Sequence, residues 1–313
     1  MVSNPNPVKG RPWVRRWSVC LSAAWCLATA MPSQAAEWRV LPAGDPTQAD
    51  LMLRAWWSEA TPDPMASPAP AKEGATTRHP VVVLLHGCGG MLDKDGQPTV
   101  RMKTYAKLLN AQGWHTLAVD SLTPRGETEL CTQRSGTRLV TMTQRRADAL
   151  AALQWLATQP GVDPQRLALL GWSNGGSALL ASTNLQQPDV VKARAQLTQM
   201  GGSLKLAVAF YPGCAAEARR GYQPWSPTLL LLGLADDWTP ARQCLPLGKS
   251  PQVHIQTWEG ANHGFDGTGP VVHRKDVPNG AHPGEGVHVG GHPVAREEAR
   301  AALLKALTGA FGN

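Results

Sequence analysis

The stretch that decides the fold is Arg166-Leu-Ala-Leu-Leu-Gly171-Trp-Ser173-Asn-Gly175-Gly-Ser-Ala-Leu-Leu180. Leu167 to Leu170 form a short apolar run closed by a glycine, the pattern of a buried strand. Past Ser173, two glycines lead into Ser177, Ala178, Leu179, Leu180 and Ala181, which predict a helix with small residues in its first turn. Gly171-Trp-Ser173-Asn-Gly175 is therefore G-x-S-x-G set between a strand and a helix. Such a turn is sharp and strained, and its flanking positions must lack Cβ atoms for strand and helix to approach. It lifts the serine hydroxyl clear of the sheet and aims the helix N-terminus at whatever the serine attacks. The pentapeptide alone also fits a serine that merely caps a glycine-rich turn.

Outward from this turn, strands alternate with helices. Residues 81–85 (Val-Val-Val-Leu-Leu) are apolar without alternation, as in a parallel strand covered on both faces, and end in His86-Gly-Cys88-Gly-Gly90. Residues 100–112 carry helical spacing through Met102, Tyr105, Ala106, Leu108 and Leu109, and Gly113 stops them. A strand at 114–120, a polar loop at 121–136 and an amphipathic helix at 143–159 follow, the helix ended by Pro160-Gly161. Further strands are predicted at 206–211, 228–232 and 253–258, then a Gly- and His-rich loop at 264–293 and a terminal helix at 295–311. Residues 38–41 and 51–57 predict two edge strands joined by a turn, and 61–80 a Pro/Ala-rich surface loop. The pattern is α/β, with a mostly parallel central sheet and helices on both faces.

Residues 1–36 read as a cleaved secretory signal. Arg11, Arg15 and Arg16 precede an apolar run at 18–31, and Pro32-Ser-Gln-Ala-Ala36 supplies small residues for cleavage. That run is too short for a permanent membrane span. The segment holds Lys9 and the three arginines and no acid, so only +3 of the formal +7 belongs to the remainder. The remaining basic residues form no stripe with aromatic interleaving, which argues against nucleic-acid binding. Residues 37–313 are long enough for one α/β domain.

Export implies a periplasmic or secreted protein and an oxidising compartment. Cys20 and Cys26 fall in the signal, which leaves Cys88, Cys131, Cys214 and Cys244. The favoured pairings are Cys88–Cys131 and Cys214–Cys244, with four buried thiols as the alternative. The sequence leaves the oligomeric state open.

A serine hydroxyl needs a base, and the base an orienting acid. In α/β hydrolases these come in the order serine, acid, histidine, from loops at the carboxyl ends of successive strands. Asp236 lies three residues past the glycine that closes Leu229-Leu-Leu-Leu-Gly233, and His263 follows the next predicted strand. Each alone fits a turn or loop residue; together and in order they predict a Ser173–Asp236–His263 triad. Asp237 competes with Asp236, which is favoured. The expected oxyanion donors are the backbone amides of Cys88 and Asn174.

Leu85-His-Gly-Cys-Gly-Gly90, Asp120-Ser-Leu-Thr-Pro-Arg-Gly126, Gly171-Trp-Ser-Asn-Gly-Gly176, Gly233-Leu-Ala-Asp-Asp-Trp-Thr-Pro240 and Gly260-Ala-Asn-His-Gly-Phe265 together resemble the dienelactone hydrolase family of α/β hydrolases. They recur in order across residues 81–310. The resemblance implies an α/β-hydrolase fold and hydrolysis of esters or lactones through an acyl-enzyme, with no cofactor. The family's namesakes carry cysteine at the nucleophile position, where this chain has Ser173. The His-Gly-Cys-Gly run is similar to one in secreted polyhydroxyalkanoate depolymerases and feruloyl or acetylxylan esterases. The expected partner is accordingly a small-molecule or polymeric ester. A serine peptidase or amidase on the same fold is the alternative, and a non-catalytic binding protein a more distant one.

Arg125 is a candidate ligand for a substrate carboxylate, and Trp172 and Trp238 for the pocket wall, against structural roles for all three. His273, His282, His288 and His292 are too widely spaced to predict a metal site and suit a loop partly covering the active site. Asp148, beside Arg145 and Arg146, predicts structural ion pairs.

Overall fold

Eight strands form the central sheet in the computed structural model, which describes residues 36–61 and 77–312. They are β1 (Glu37–Pro42), β2 (Met52–Ser58), β3 (His79–Leu85), β4 (His115–Asp120), β5 (Val162–Trp172), β6 (Leu204–Phe210), β7 (Thr228–Gly233) and β8 (Val253–Trp258). Their order across the sheet is β1-β2-β4-β3-β5-β6-β7-β8. β4 through β8 pair in parallel, and β2 runs antiparallel to both β1 and β4. The helices are α1 (Val100–Asn110), α2 (Met142–Leu156), α3 (Asn174–Thr183), α4 (Pro188–Gln199), α5 (Ala215–Arg220) and α6 (Pro293–Phe311). The predicted leader up to residue 35 and residues 62–76 of the predicted surface loop lie outside the described residues.

Two expectations need correction. β2 is not an edge strand but lies between β1 and β4, and its alternate residues Leu53, Ala55 and Trp57 are buried. The 264–293 segment is not all loop, since β9 (Val272–Arg274) and β10 (Val287–Val289) pair there as an antiparallel hairpin. The sequence also left α4 and α5 unnamed. α4 buries only Val190, Ala193 and Leu197, a stripe too narrow to stand out, and α5 is six residues long.

Strand alternation sorts the core into two layers. Val81, Val83, Leu85, Leu167 and Leu169 face α2 and α3, where they meet Ala152, Leu153, Leu156, Leu179 and Leu180. Val82, Leu84, Ala168, Leu170 and Trp172 point the other way, onto Met102, Tyr105 and Leu109 of α1 and Leu303 and Leu307 of α6. Both faces of the central strands are thereby covered, which is why their sequences run apolar without alternating.

The two expected disulfides, Cys88–Cys131 and Cys214–Cys244, are present and span 43 and 30 residues. Loops of this length correspond to about 4 kcal/mol each in the chain-entropy model. Among the described residues, no helix is long and apolar enough to cross a membrane.

At the opposite edge of the core, Ala60 N–H donates to His115 Nδ1 at 2.7 Å, a bond that requires an unprotonated nitrogen. Burial, reinforced by the neighbouring His79, lowers the His115 pKa from 6.5 to about 4. A histidine held neutral in the folded state takes up its proton more readily when unfolded. Its contribution is therefore complete above about pH 6.5 and is lost as the pH falls towards 4. Between about pH 7 and about pH 4, the Tm should drop further in the wild type than in His115→Gln. Parallel pH profiles would exclude this source of acid lability.

Candidate active site

Ser173 occupies the turn between β5 and α3 with φ 52° and ψ −118°, a left-handed conformation uncommon for a residue with a side chain. Its neighbours explain how the strain is held. A Cβ at Gly171 would lie 2.5 Å from Gly175 O, and one at Gly175 only 2.0 Å from Leu85 O. Only glycine lets the start of α3 pack directly on the end of β3. The backbone is pinned further by Ser173 N–H to Phe210 O (2.9 Å) and Ser177 N–H to Ser173 O (2.8 Å). Ser173 is 8% exposed and opens onto a cavity of about 360 Å³.

The other two residues of the predicted triad reach it from neighbouring strand ends. His263 Nε2 lies 2.9 Å from Ser173 Oγ, and its Nδ1 lies 2.9 Å from Asp236 Oδ2. With the carboxylate ionised, Nδ1 carries the proton and Nε2 is left to accept from the serine hydroxyl. Asp236 Oδ1 accepts from Trp238 N–H and Thr239 N–H, both at 2.8 Å, so the carboxylate is fixed by its own turn. Asp237 points elsewhere, accepting from His288 N–H (2.8 Å) and facing His288 Nδ1 (2.7 Å). Through that pair it ties the β9–β10 hairpin to the Asp236 turn. The hairpin in turn backs the histidine, because Gly290 N–H donates to His263 O at 3.0 Å.

Thr239 and Tyr211, which the sequence did not single out, complete this support. Thr239 Oγ1 lies 2.9 Å from Asp236 Oδ2, 2.9 Å from Tyr211 O and 3.0 Å from His263 Nδ1. Tyr211 has φ 37°, donates its hydroxyl to Asp266, and sets its ring 4.6 Å from that of His263. Trp238 flanks the imidazole at the same 4.6 Å and lines the cavity. Asp-x-x-Thr after a strand glycine was a readable signal for the threonine; nothing local marked Tyr211.

Cys88 and Asn174 line the same cavity as Ser173. Among the described residues, neither backbone N–H has an acceptor. The Cys88 side chain bonds Cys131, and its carbonyl accepts from Leu130 N–H at 2.7 Å, which anchors this loop to the 121–140 segment. His86 is fully buried. It donates from Nδ1 to Gly87 O (2.7 Å) and accepts at Nε2 from Ser121 N–H (3.3 Å). Burial, and secondarily the Arg145 charge, push its pKa well below the usual histidine value, so it stays neutral.

Two expected substrate contacts are corrected. Arg125 spends its guanidinium inside the protein: on Asp148 (2.7 and 2.9 Å), on Ser121 O (2.8 Å) and on Gln48 (2.8 Å). The pair is 3% and 0% exposed, out of reach of the cavity. Asp148 thus pairs with Arg125 and not with its helix neighbours, and Arg146 bridges to Asp189. Trp172 is fully buried, since strand alternation turns it away from the serine side onto Phe210 and Tyr105. The cavity wall is instead completed by Ser135, Arg138, Met142, Gln243 and Asn279. Among the described residues no His, Cys, Asp and Glu cluster could hold a metal ion.

Residues 133–197, which include α2, β5, the Ser173 turn and α3, match the Prolyl oligopeptidase family model. No protein of curated function matches the chain in sequence. Among solved structures, a Klebsiella pneumoniae protein designated dienelactone hydrolase is similar at a TM-score of 0.57 and 15% identity. That alignment covers 88% of this chain and 99% of the other. Esterase 2 of Thermogutta terrifontis, in its propionate-bound structure, aligns at a TM-score of 0.54 and 18% identity, covering 90% and 96%. The tabun-phosphoramylated structure of the same esterase gives 0.54 and 16%, covering 91% and 98%. At these identities the likeness is one of fold, and it agrees with the strand order and the turn at Ser173. The chain therefore has a dienelactone hydrolase-like α/β-hydrolase fold.

Proposed function

We propose that the protein is a serine hydrolase that cleaves carboxylic esters or lactones through an acyl-enzyme. The observation that carries this is the unbroken hydrogen-bond chain Ser173 Oγ–His263–Asp236 at 2.9 Å per step, opening onto a cavity. Ser173 Oγ attacks the ester carbonyl carbon as His263 Nε2 takes its proton, and Asp236 steadies the imidazolium. The negative oxygen of the tetrahedral intermediate is held by the free N–H groups of Cys88 and Asn174. Its collapse breaks the C–O bond, and the leaving alcohol takes the proton from Nε2. A water molecule then repeats the sequence on the acyl-enzyme, deprotonated by His263, and releases the acid. No step calls for a cofactor.

The hydrolase neighbours support a hydrolase, and the propionate-bound esterase supports ester chemistry. The two disulfides support a location outside the cytoplasm, periplasmic or secreted after cleavage of the leader. The match to the Prolyl oligopeptidase family over 133–197 favours a second reading, a peptidase or amidase using the same residues.

Incubation with a fluorophosphonate is expected to stop p-nitrophenyl acetate turnover and to add one phosphonyl group, on the peptide containing Ser173. Inactivation with the label elsewhere would refute the assignment. A p-nitroanilide with the same acyl group separates the two readings: turnover comparable to that of the ester favours the amidase.

A further inference from the structure

We propose that Arg145 is a positioning residue of the oxyanion hole, clamping the two segments that carry its N–H donors. This rests on the hydrolase mechanism proposed above. Arg145 lies in the first turn of α2, whose start is set by a capping box between Thr141 and Gln144. The side chain is 2% exposed. Its Nη1 donates to Asn174 Oδ1, and its Nη2 donates to His86 O at 2.7 Å. One acceptor is the side chain of the residue that supplies the first oxyanion donor. The other is the peptide carbonyl immediately before the peptide that carries the second donor, Cys88 N–H. A single planar guanidinium therefore sets the distance between the two donor segments.

The charge balance around Arg145 argues against an ordinary ion pair. Asp148 is occupied by Arg125. Asp120 directs Oδ1 to Leu122 N–H and Thr123 N–H, both at 3.1 Å. No carboxylate oxygen comes within 4.0 Å of the Arg145 guanidinium among the described residues. Burial lowers its pKa to about 10, which leaves it charged at neutral pH. The Asp148 and Asp120 charges favour the cation from beyond contact distance, and its direct partners are the acceptors on the two donor segments. Lysine could reach one acceptor but not both, because an ammonium is a point donor and a guanidinium a rigid fork.

The test compares Arg145→Met, Arg145→Lys and Asn174→Ala in the full-length protein. The readouts are kcat and KM on p-nitrophenyl acetate and the inhibition constant of phenylboronic acid, whose tetrahedral serine adduct places an oxygen where the oxyanion forms. Asn174→Ala removes the side-chain acceptor and keeps the backbone donor. Oxyanion contacts form only in the transition state, so kcat should fall and KM should stay within about two-fold. Arg145→Met is expected to lose about 100-fold in kcat, the scale of one lost oxyanion donor, and Arg145→Lys and Asn174→Ala about 10-fold. Boronate affinity should weaken by the same factors, and Arg145→Met/Asn174→Ala should be no worse than Arg145→Met alone. A role confined to stability would lower the Tm and leave kcat and boronate affinity unchanged in folded protein.

The inference is overturned if Arg145→Lys and Asn174→Ala both keep kcat within about two-fold, or if boronate affinity does not follow kcat. Should Arg145→Met fail to fold, Asn174→Ala decides, since its side chain borders the cavity and not the core. If Ser173→Ala also left turnover intact, the hydrolase mechanism itself would fall. Loss of activity in Ser173→Ala with unaffected Arg145→Lys and Asn174→Ala would remove the clamp alone.

Discussion

Ser173→Ala is expected to reduce kcat for p-nitrophenyl acetate by about a million-fold, the scale seen when a nucleophile is removed from an intact base and oxyanion site. Among the described residues its hydroxyl is the one that lies against His263 Nε2, and alanine has no atom to substitute for it. The fold should be unaffected. Alanine occupies less space than serine, and the left-handed turn is enforced by contacts around Gly171 and Gly175 that the substitution does not touch. KM should change little, because the serine oxygen contributes to bond formation more than to ground-state binding. Stopped assays on highly purified protein would measure the residual rate. Retention of more than about 1% of kcat would exclude Ser173 as the nucleophile.

Asp236→Asn should lower kcat by about 10⁴-fold at neutral pH, with the geometry of the turn preserved. An asparagine amide can donate to His263 Nδ1 and thereby favour the tautomer with the proton on Nε2. That nitrogen then has no lone pair with which to accept from Ser173. The neighbouring change, Asp237→Asn, should leave kcat within about three-fold, because Asp237 meets His288 on the β9–β10 hairpin and not the His263 imidazole. Measuring the two variants side by side controls for the general cost of losing a carboxylate in this turn. Equal losses would show that the assignment of Asp236 as the orienting acid is mistaken.

The local chemistry of each segment was legible to different depths. The apolar runs of β3, β5, β6 and β7 announced themselves because burial on both faces suppresses alternation, whereas β8, at the sheet edge, alternates and buries only Val253 fully. β2 did not reveal its place in the sheet. A strand paired on one side and a strand paired on two can carry the same half-buried pattern, and the order of strands is a property of the whole sheet. The β9–β10 hairpin was hidden by its brevity, since its strands Val-His-Arg and Val-His-Val are three residues long, too short for an alternation to register within a Gly-rich segment.

Arg125 illustrates another limit. It follows a strand end near the site, where a ligand-binding arginine would also be found. Its partner Asp148 lies in α2, and sequence neighbours Arg145 and Arg146 hide that long-range pairing. Trp172 sits next to the serine in sequence, yet adjacent residues in a strand face opposite ways, so sequence proximity was a poor guide to the pocket.

By itself the sequence determined the alternation of strands and helices, the glycine pattern that only a tight strand-to-helix turn requires, and the order in which serine, acid and histidine arrive. These follow from local sterics and burial, which act over a few residues. Only the tertiary structure decided which of Asp236 and Asp237 faces His263, withdrew Arg125 and Trp172 from the pocket, and brought Thr239, Tyr211 and Arg145 behind the site. Those outcomes depend on the direction of single side chains across contacts of tens of residues. Packing and hydrogen bonding settle such directions after the chain has closed, and no local pattern encodes them.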